Sequence, residues 1–335
     1  MSGPISRRDF VQLIGAVGAG AMLAGCAAPL ATTPRATKAR RIGYLGGGVS
    51  AQVTGDSETF RQALRDLGYV DGADLVIELR AADTVLDRSP GLAAELLGLP
   101  VDILVTTGTP QALAAQAATS TIPVVFIRVA DPVGQGIVAS LARPGANVTG
   151  VSAASMGPKQ LEMLRAVVPG LKRIAVLWNA NNPGAVRLRD IEDAAHALNL
   201  SLETFAIHNP EELNVALDKT ARSRPDGLLV APAFNIAFDR GQIPNFAASI
   251  RLPQIYSTDV PFVAAGGLMA VGSNFASEQR SAAGLVDKIL RGANPAELPV
   301  ELPTQIDFLI NLSAAERIGL TIPESVLRQA TQFVR

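Results

Sequence analysis

From Arg41 onward, short runs of β-branched and other apolar residues alternate with longer segments in which apolar residues recur at helical spacing. In the first half of the chain, this pattern predicts strands at residues 41–45, 74–79, 102–106 and 123–129, and helices at residues 56–67, 86–97 and 110–118. Strands that alternate with helices form a parallel sheet with helices on both faces. The first half is therefore predicted to be an α/β lobe.

The same alternation repeats in the second half. It predicts strands at residues 173–178, 201–207, 227–231 and 254–257, and helices at residues 184–198, 211–223 and 237–249. Landmarks recur at similar spacing, since Asp102 and Pro123 of the first half correspond to Asp226 and Pro253 of the second. We predict two similar parallel-sheet lobes joined by a hinge. The alternative is a chance similarity between two α/β stretches of one continuous sheet.

Two extended segments rich in Gly, at residues 143–152 and 265–274, are suited to the connections between the lobes. Beyond the second segment, the pattern predicts a helix at 276–291, a strand at 304–310 and a helix at 324–333. Two crossings return a chain to the lobe in which it began. We therefore expect lobe one to comprise residues 41–150 and 275–335, and lobe two to comprise residues 151–274.

The N-terminal segment has the features of an export signal. Ser6-Arg7-Arg8-Asp9-Phe10 precedes an apolar run at residues 11–23, which is shorter than the roughly 20 residues of a membrane-spanning helix. The paired arginines are typical of a twin-arginine signal. Leu23-Ala-Gly-Cys26 is typical of a bacterial lipobox, in which the cysteine is lipidated. We predict a signal peptide at residues 1–25 and lipidation at Cys26, against the alternative of a plain secretory signal with a chance cysteine.

Residues 26–40 are small and aperiodic, and they contain proline, which indicates a flexible tether between a lipid anchor and the first lobe. Cys26 is the one cysteine of the chain, so the body has no thiol, as suits an oxidising compartment. We expect a lipid-anchored protein of the periplasm or cell envelope that is exported by the twin-arginine route.

Composition excludes several classes of function. Hydrophobic residues make up 48% of the 335 residues and charged residues 18%, so a large core is expected. A formal net charge of −1 argues against nucleic-acid binding, which needs a basic excess. One cysteine excludes an internal disulfide and a multi-thiolate metal site. No nucleophile-elbow, zinc-protease or P-loop motif is present, so we expect neither an enzyme nor a resident cofactor or metal.

Small and polar residues follow the predicted strands of both lobes. In an open parallel sheet, ligands bind in the crevice outside the carboxyl ends of the strands. The candidate ligand-binding residues of lobe one are Gly46, Gly47, Thr107, Gly108, Thr109 and Asp131. Those of lobe two are Asn179, Asn181, Phe234, Asn235, Ser257 and Asp259.

A zwitterionic ligand would suit these residues. Thr109 is expected to cap the helix that begins at Pro110, whose N-terminal N–H groups favour a carboxylate. Asp131 ends the next strand and could accept an ammonium group, with Asp259 of the other lobe as the competing partner. The alternative for Asp131 is a turn with Pro132 or a helix cap.

The chain resembles a known family, the periplasmic substrate-binding proteins of ABC transporters that include tryptophan- and tyrosine-binding members. The resemblance runs from about residue 41 to the C-terminus. It rests on ordered motifs that include Arg41-Ile-Gly-Tyr-Leu-Gly46, Thr107-Gly-Thr-Pro110, Ala130-Asp-Pro-Val-Gly134, Ala175-Val-Leu-Trp-Asn179 and Gly319-Leu-Thr-Ile-Pro323. It implies a type I periplasmic-binding-protein-like fold, in which two α/β lobes close on a small molecule.

The resemblance also implies a partner, an ABC permease in the inner membrane, and a monomer that delivers its ligand to it. A sensor that presents the ligand to a membrane receptor is the alternative, since the same fold serves that role. A periplasmic enzyme with Asp131 or Asp259 as a base is a further alternative, although the chain lacks a nucleophile–base pair.

Three departures from the family pattern bear on the ligand. Arg128 stands where a small residue is expected before Ala130-Asp-Pro-Val-Gly134, and Ala264 stands where an acidic residue is often found. Residues 270–274 read Ala-Val-Gly-Ser-Asn in place of the usual Ser-Tyr-Gly-Pro-Asn. The ligand is therefore expected to be an amino acid or a related carboxylate, and an aromatic side chain is not predicted for it.

Overall fold

A computed structural model describes residues 39–335 except 185–187, 232–239 and 259–261. The prediction for Cys26 and those for the signal peptide and most of the tether lie outside these residues. The described residues form one compact unit that contains two sheets. No helix in this part of the chain combines the length and the hydropathy that crossing a bilayer requires.

The first sheet has five parallel strands in the order β2-β1-β3-β4-β5. Its strands are β1 (Arg40–Gly46), β2 (Leu75–Ala81), β3 (Ile103–Thr107), β4 (Val124–Val129) and β5 (Val148–Ser152). The helices between them are α1 (Ser50–Asp66), α2 (Ser89–Leu97) and α3 (Thr109–Ala118). The predicted strands of lobe one are confirmed, and β5 forms within a segment that was predicted only as a hinge.

The second sheet has seven strands in the order β12-β11-β10-β9-β8-β6-β7. They are β6 (Arg173–Asn179), β7 (Ser201–Ile207), β8 (Gly227–Val230), β9 (Gln254–Tyr256), β10 (Met269–Ser273), β11 (Ile306–Asn311) and β12 (Gln332–Val334). Its helices are α4 (Gly157–Val167), α5 (Leu188–Ala197), α6 (Pro210–Ser223) and α7 (Gln242–Ser249). The repeat of the α/β pattern therefore predicted the two parallel-sheet lobes correctly.

The last part of the chain divides between the lobes. Helix α8 (Phe275–Leu290) packs on the first sheet, where Ala282 and Val286 join the core that Ile42 and Phe60 form. Strand β11 instead pairs antiparallel with β10 in the second sheet. The prediction that residues 304–310 belong to lobe one is wrong, because Phe308 and Ile310 complete the core of lobe two.

The chain consequently crosses between the lobes three times rather than twice. The crossings follow β5, follow β10, and run through residues 301–305. The third crossing is held to lobe one by a bond from Ser152 N–H to the Glu301 carbonyl (2.9 Å) and to the second crossing by one from Asn274 N–H to the Gln305 carbonyl (2.9 Å). After it come α9 (Leu312–Ile318) and α10 (Glu324–Leu327), and the predicted helix at 324–333 ends early because residues 332–334 form β12.

Candidate functional site

The strands β1, β3 and β4 are neighbours in the first sheet, so the loops that follow them lie at one rim of lobe one. Gly47 and Gly108 both contact the buried Gln111 side chain, since a Cβ atom at either position would lie 2.8 Å from Gln111 Oε1. Gly108 has a φ of +99°, and its N–H donates to the Ile127 carbonyl (2.8 Å). The structure thus brings together the predicted residues Gly46, Gly47, Thr107, Gly108 and Thr109.

Thr109 has a different role from the predicted helix cap. Helix α3 begins at Thr109 itself, and Gly108 occupies the capping position. The buried Thr109 Oγ1 accepts a hydrogen bond from the Ala130 N–H (3.1 Å), which ties the end of β3 to the end of β4. The capping prediction is wrong because the left-handed Gly108 already turns the chain into the helix. The first turn still presents backbone N–H groups that lack intrahelical partners, although Pro110 removes one of them.

Asp131 lies at the same rim, in a left-handed conformation with a φ of +45°. Its Oδ1 accepts a hydrogen bond from the Gly134 N–H (3.0 Å), so the carboxylate is turned back onto its own loop. This is the turn with Pro132 that stood as the alternative to ligand binding. Asp131 is exposed and also lines the space between the lobes.

In lobe two, β6, β8 and β9 are neighbours, and the loops after them share a rim. Asn179 is buried, and its Oδ1 accepts from the Asn181 N–H (3.0 Å), while Asn181 Nδ2 donates to the His208 carbonyl (2.7 Å). Ser257 is half-buried just after β9. The predicted residues Phe234, Asn235 and Asp259 lie outside the described residues.

Hydrogen bonds between described residues join the rims of the two lobes. Arg240, after β8, donates from Nη2 to Gln52 Oε1 in the first turn of α1 (3.0 Å). Gln135 of lobe one donates from Nε2 to the Pro183 carbonyl of lobe two (3.3 Å). None of these four residues was predicted from the sequence. Gln52 lies in the first turn of the helix that follows Gly46-Gly47-Gly48, and this position after a glycine-rich loop could have pointed to it.

A groove of about 1010 Å³ lies between the lobes beside the crossings. Asp131, Ser152, Trp178 and Asn182 line it together with Leu302 of the third crossing. Trp178 is the one tryptophan of the chain. A groove of this volume falls at the upper end of the range for small-molecule sites.

A charged cluster lies where α8 begins, next to β1 and β4. Arg128 and Glu278 form an ion pair (Nε to Oε2, 2.5 Å) whose side chains are 15% and 1% exposed. Burial raises the pKa of Asp56 to about 6, and the Arg128 guanidinium partly offsets this shift. Burial, with the Asp56 carboxylate as a smaller cause, raises the pKa of Tyr44 above its usual range, so this phenol stays neutral. From the sequence, Arg128 is a departure from the family pattern for which no role was predicted.

The arrangement is suited to binding a small polar molecule. Among the described residues, no three His, Cys, Asp or Glu side chains are grouped so that they could hold a metal ion. The two rims instead offer backbone N–H groups, amides and a carboxylate on opposite sides of a crevice. Such groups can orient a small polar molecule, and two hinged lobes can enclose it.

Comparisons with known proteins match the chain to one family and to a binding protein. The family described as "ABC transporter substrate binding protein" matches residues 49–334. A tyrosine-binding protein from Clostridioides difficile (strain R20291) is 28% identical over 253 residues, which cover 75% of this chain and 73% of that protein.

Solved structures are similar over most of the chain. A conserved domain protein from Vibrio cholerae is 27% identical with a TM-score of 0.83, and the match covers 89% of this chain and all of that one. A Streptococcus pneumoniae ABC domain in complex with L-Trp is 26% identical with a TM-score of 0.82, and the match has the same coverage. Both similarities span both lobes.

Proposed function

The chain belongs to the family of ABC transporter substrate-binding proteins, and we propose that it is the lipid-anchored component of an importer that carries an amino acid or a related carboxylate. Proteins of this family bind solutes outside the cytoplasm and are not enzymes. The observation that carries the proposal is the pair of opposed rims, in which the loops after β1, β3 and β4 face those after β6 and β8 across bridging hydrogen bonds.

Two similarities support the class of ligand. The relative from Clostridioides difficile is described as tyrosine-binding, and the Streptococcus pneumoniae structure holds L-Trp. In our proposal, the first turn of α3 receives the ligand carboxylate, because a helix N-terminus favours negative charge. An ammonium group would be received by Asp131 or Asp259. Gly46, Gly47, Asn179, Asn181, Phe234, Asn235 and Ser257 complete the proposed lining of the crevice.

The ligand can be identified by what remains bound after purification. Native mass spectrometry of the intact protein, followed by denaturation and mass analysis of the released molecule, is expected to yield one amino acid or small carboxylate. Because the proposed partner is an ABC permease, we expect deletion of the permease gene to abolish uptake of that compound. A protein that carries no small molecule and binds none from a panel of amino acids and aromatic carboxylates would contradict the proposal.

The ammonium contact can be tested once the ligand is known. Loss of a buried charge-assisted hydrogen bond costs roughly 2–5 kcal/mol, in part because the partner charge is left unpaired. We therefore expect calorimetry to show a loss of well over tenfold in affinity for Asp131→Asn or for Asp259→Asn. A loss of tenfold or less for both variants would mean that neither carboxylate recognises the ligand.

The lipid anchor has its own test. We expect Cys26→Ser to move the protein from the membrane fraction to the soluble fraction without changing its melting temperature, because the strands and helices of both lobes lie from residue 40 onward. The neighbouring Ala27→Ser is the matched control and should stay with the membranes. If the Cys26→Ser protein still sediments with membranes after a carbonate wash, the protein is not lipidated at this residue.

A further inference from the structure

Arg128 has an unusual backbone conformation near the end of β4. Its φ is +61°, in the left-handed region that few residues other than glycine adopt. The pairing of β4 with β5 shifts register between Ile127 and Val129. Residues two apart in a strand normally face the same side, yet Ile127 packs in the core beneath α1 and α8 and Val129 packs in the core of the opposite face. The irregularity lets Arg128 turn toward α8.

The Arg128 guanidinium holds the segment in which the chain crosses from β10 to α8. Its Nε pairs with Glu278 Oε2 (2.5 Å), and its Nη2 donates to the Ser273 carbonyl (2.9 Å). Its planar face lies 4.3 Å from the centre of the Phe275 ring, a favourable cation–π distance. A residue of the first sheet is thereby joined to both ends of the second crossing.

The other lobe holds the same crossing. Thr258 of lobe two donates from Oγ1 to the Ser273 carbonyl (3.1 Å), so this oxygen receives hydrogen bonds from both lobes. Ser273 Oγ in turn donates to Glu278 Oε1 (2.5 Å). Any rotation of the lobes about this crossing changes the geometry around the Ser273 carbonyl.

We propose that Arg128 is a positioning residue of the hinge, which fixes the second crossing against β4 and thereby favours the arrangement in which the bonds from Arg240 to Gln52 and from Gln135 to Pro183 join the rims. The proposal rests on the proposed function, since closure is what encloses a ligand. Arg128 acts through the hinge and not on the ligand, because its guanidinium group already has partners. It forms an ion pair with Glu278, donates a hydrogen bond to the Ser273 carbonyl and lies over the Phe275 ring. The apparent affinity for a ligand falls with the fraction of molecules in the binding-competent state.

Two variants distinguish a role of Arg128 in positioning the hinge from a role in the stability of the fold alone. R128M/E278L replaces the buried ion pair by apolar side chains and leaves neither partner unpaired, so the fold is retained. The measurements are made at pH 5, because Asp56 loses the offsetting charge of Arg128 and is kept protonated below its raised pKa. Arg128→Lys keeps the charge but lacks the planar fork that reaches Glu278 and Ser273 together. The matched control is R328M/E324L, which removes an exposed ion pair of lobe two.

The separation of the lobes can be measured by distances between spin labels. With Cys26→Ser the chain has no cysteine, so Asp87→Cys and Glu211→Cys place one label on an exposed site of each lobe. In the ligand-free protein we expect R128M/E278L and Arg128→Lys to shift the distance distribution away from that of the control. The affinity for L-tyrosine, the probe ligand, should fall by about tenfold while the melting temperature stays close to that of the control.

Distance distributions that match the control in both variants would overturn the proposal. This result is distinguishable from failure of the proposed function. If the unmodified protein does not bind L-tyrosine, the distances in the ligand-free protein still decide whether Arg128 positions the hinge. If R128M/E278L does not fold, Arg128→Lys carries the same comparison.

Discussion

At the scale of single residues, the core of lobe one contains buried polar side chains between α1 and α8, next to its apolar side chains. The fully buried Tyr44 hydroxyl accepts a hydrogen bond from Gln279 Nε2 (2.8 Å), and Asp56 lies near both Tyr44 and Arg128. Among the described residues, the Asp56 carboxylate has no hydrogen-bond or ion-pair partner. A desolvated carboxylate without a partner is costly when it is ionised.

This cost predicts a pH dependence of stability. The pKa of Asp56 is raised from 3.8 to about 6, so the folded protein binds this proton more tightly than the unfolded chain does. The free energy of unfolding should therefore fall as the pH rises through this interval. Asp56→Asn removes the penalty and should stabilise the protein by about 1–3 kcal/mol at pH 8 and by little at pH 4.

Urea unfolding of the variant and the wild type at several pH values checks this prediction. Asp218→Asn changes an exposed carboxylate of lobe two and is the control. A difference between Asp56→Asn and wild type that stays constant from pH 4 to pH 8 would show that Asp56 does not titrate in this interval.

At the scale of elements, the strands were predictable from runs of apolar residues. The first and last residues of several helices instead depend on contacts that the sequence does not show. Helix α1 begins at Ser50 rather than near residue 56, because Asp83 Oδ1 accepts from both the N–H (2.9 Å) and the Oγ (2.6 Å) of Ser50. Asp83 comes from the loop after β2. The apolar pattern of α1 starts later than the helix, so the pattern alone placed the beginning too late.

The end of the chain shows the same limit. The apolar residues of α8 and β11 establish that each buries a face, but not in which lobe. Counting crossings assigned both elements to lobe one, which is correct for α8 and wrong for β11, because residues 301–305 form a third crossing. The pairing of β11 with β10 is a contact between segments that the sequence separates by a helix and a loop.

The candidate site was predictable where it depends on sheet order. Adjacent parallel strands brought Gly47, Gly108 and Asp131 to one rim, as expected. The hydroxyl of Thr109 and the carboxylate of Asp131 instead bond to neighbouring backbone, which depends on local geometry. The contact between Gln52 and Arg240 joins different lobes, so no local pattern predicts it.

The placement of β11 in lobe two predicts the effect of two substitutions on one strand. Ile310 is fully buried in the core of lobe two, so Ile310→Ala should destabilise the protein by about 2–5 kcal/mol. Ile306 is 39% exposed on the same strand, so Ile306→Ala should change stability by about 0.5 kcal/mol or less.

Trp178 packs against the core that contains Ile310, so its fluorescence reports on this lobe during urea unfolding. Equal losses of stability for Ile306→Ala and Ile310→Ala would contradict the assignment of this strand and its buried face.

At the scale of the whole molecule, two sheets joined by three crossings present opposed rims of strand ends. The bonds between Arg240 and Gln52 and between Gln135 and Pro183 bring the rims together. A ligand shifts such lobes toward closure only to the extent that it binds the closed form better. Closure therefore requires one small molecule that contacts both lobes.

Titration calorimetry of the ligand-free protein with the amino acid or carboxylate found by mass spectrometry tests this claim most directly. We expect saturable binding of one molecule per chain, with a negative heat-capacity change as apolar surface is buried. Ligand at 100 times its dissociation constant should stabilise the protein by about 2.7 kcal/mol in a parallel melting experiment. An absence of saturable heat and of any thermal shift, with every compound tested, would contradict the account.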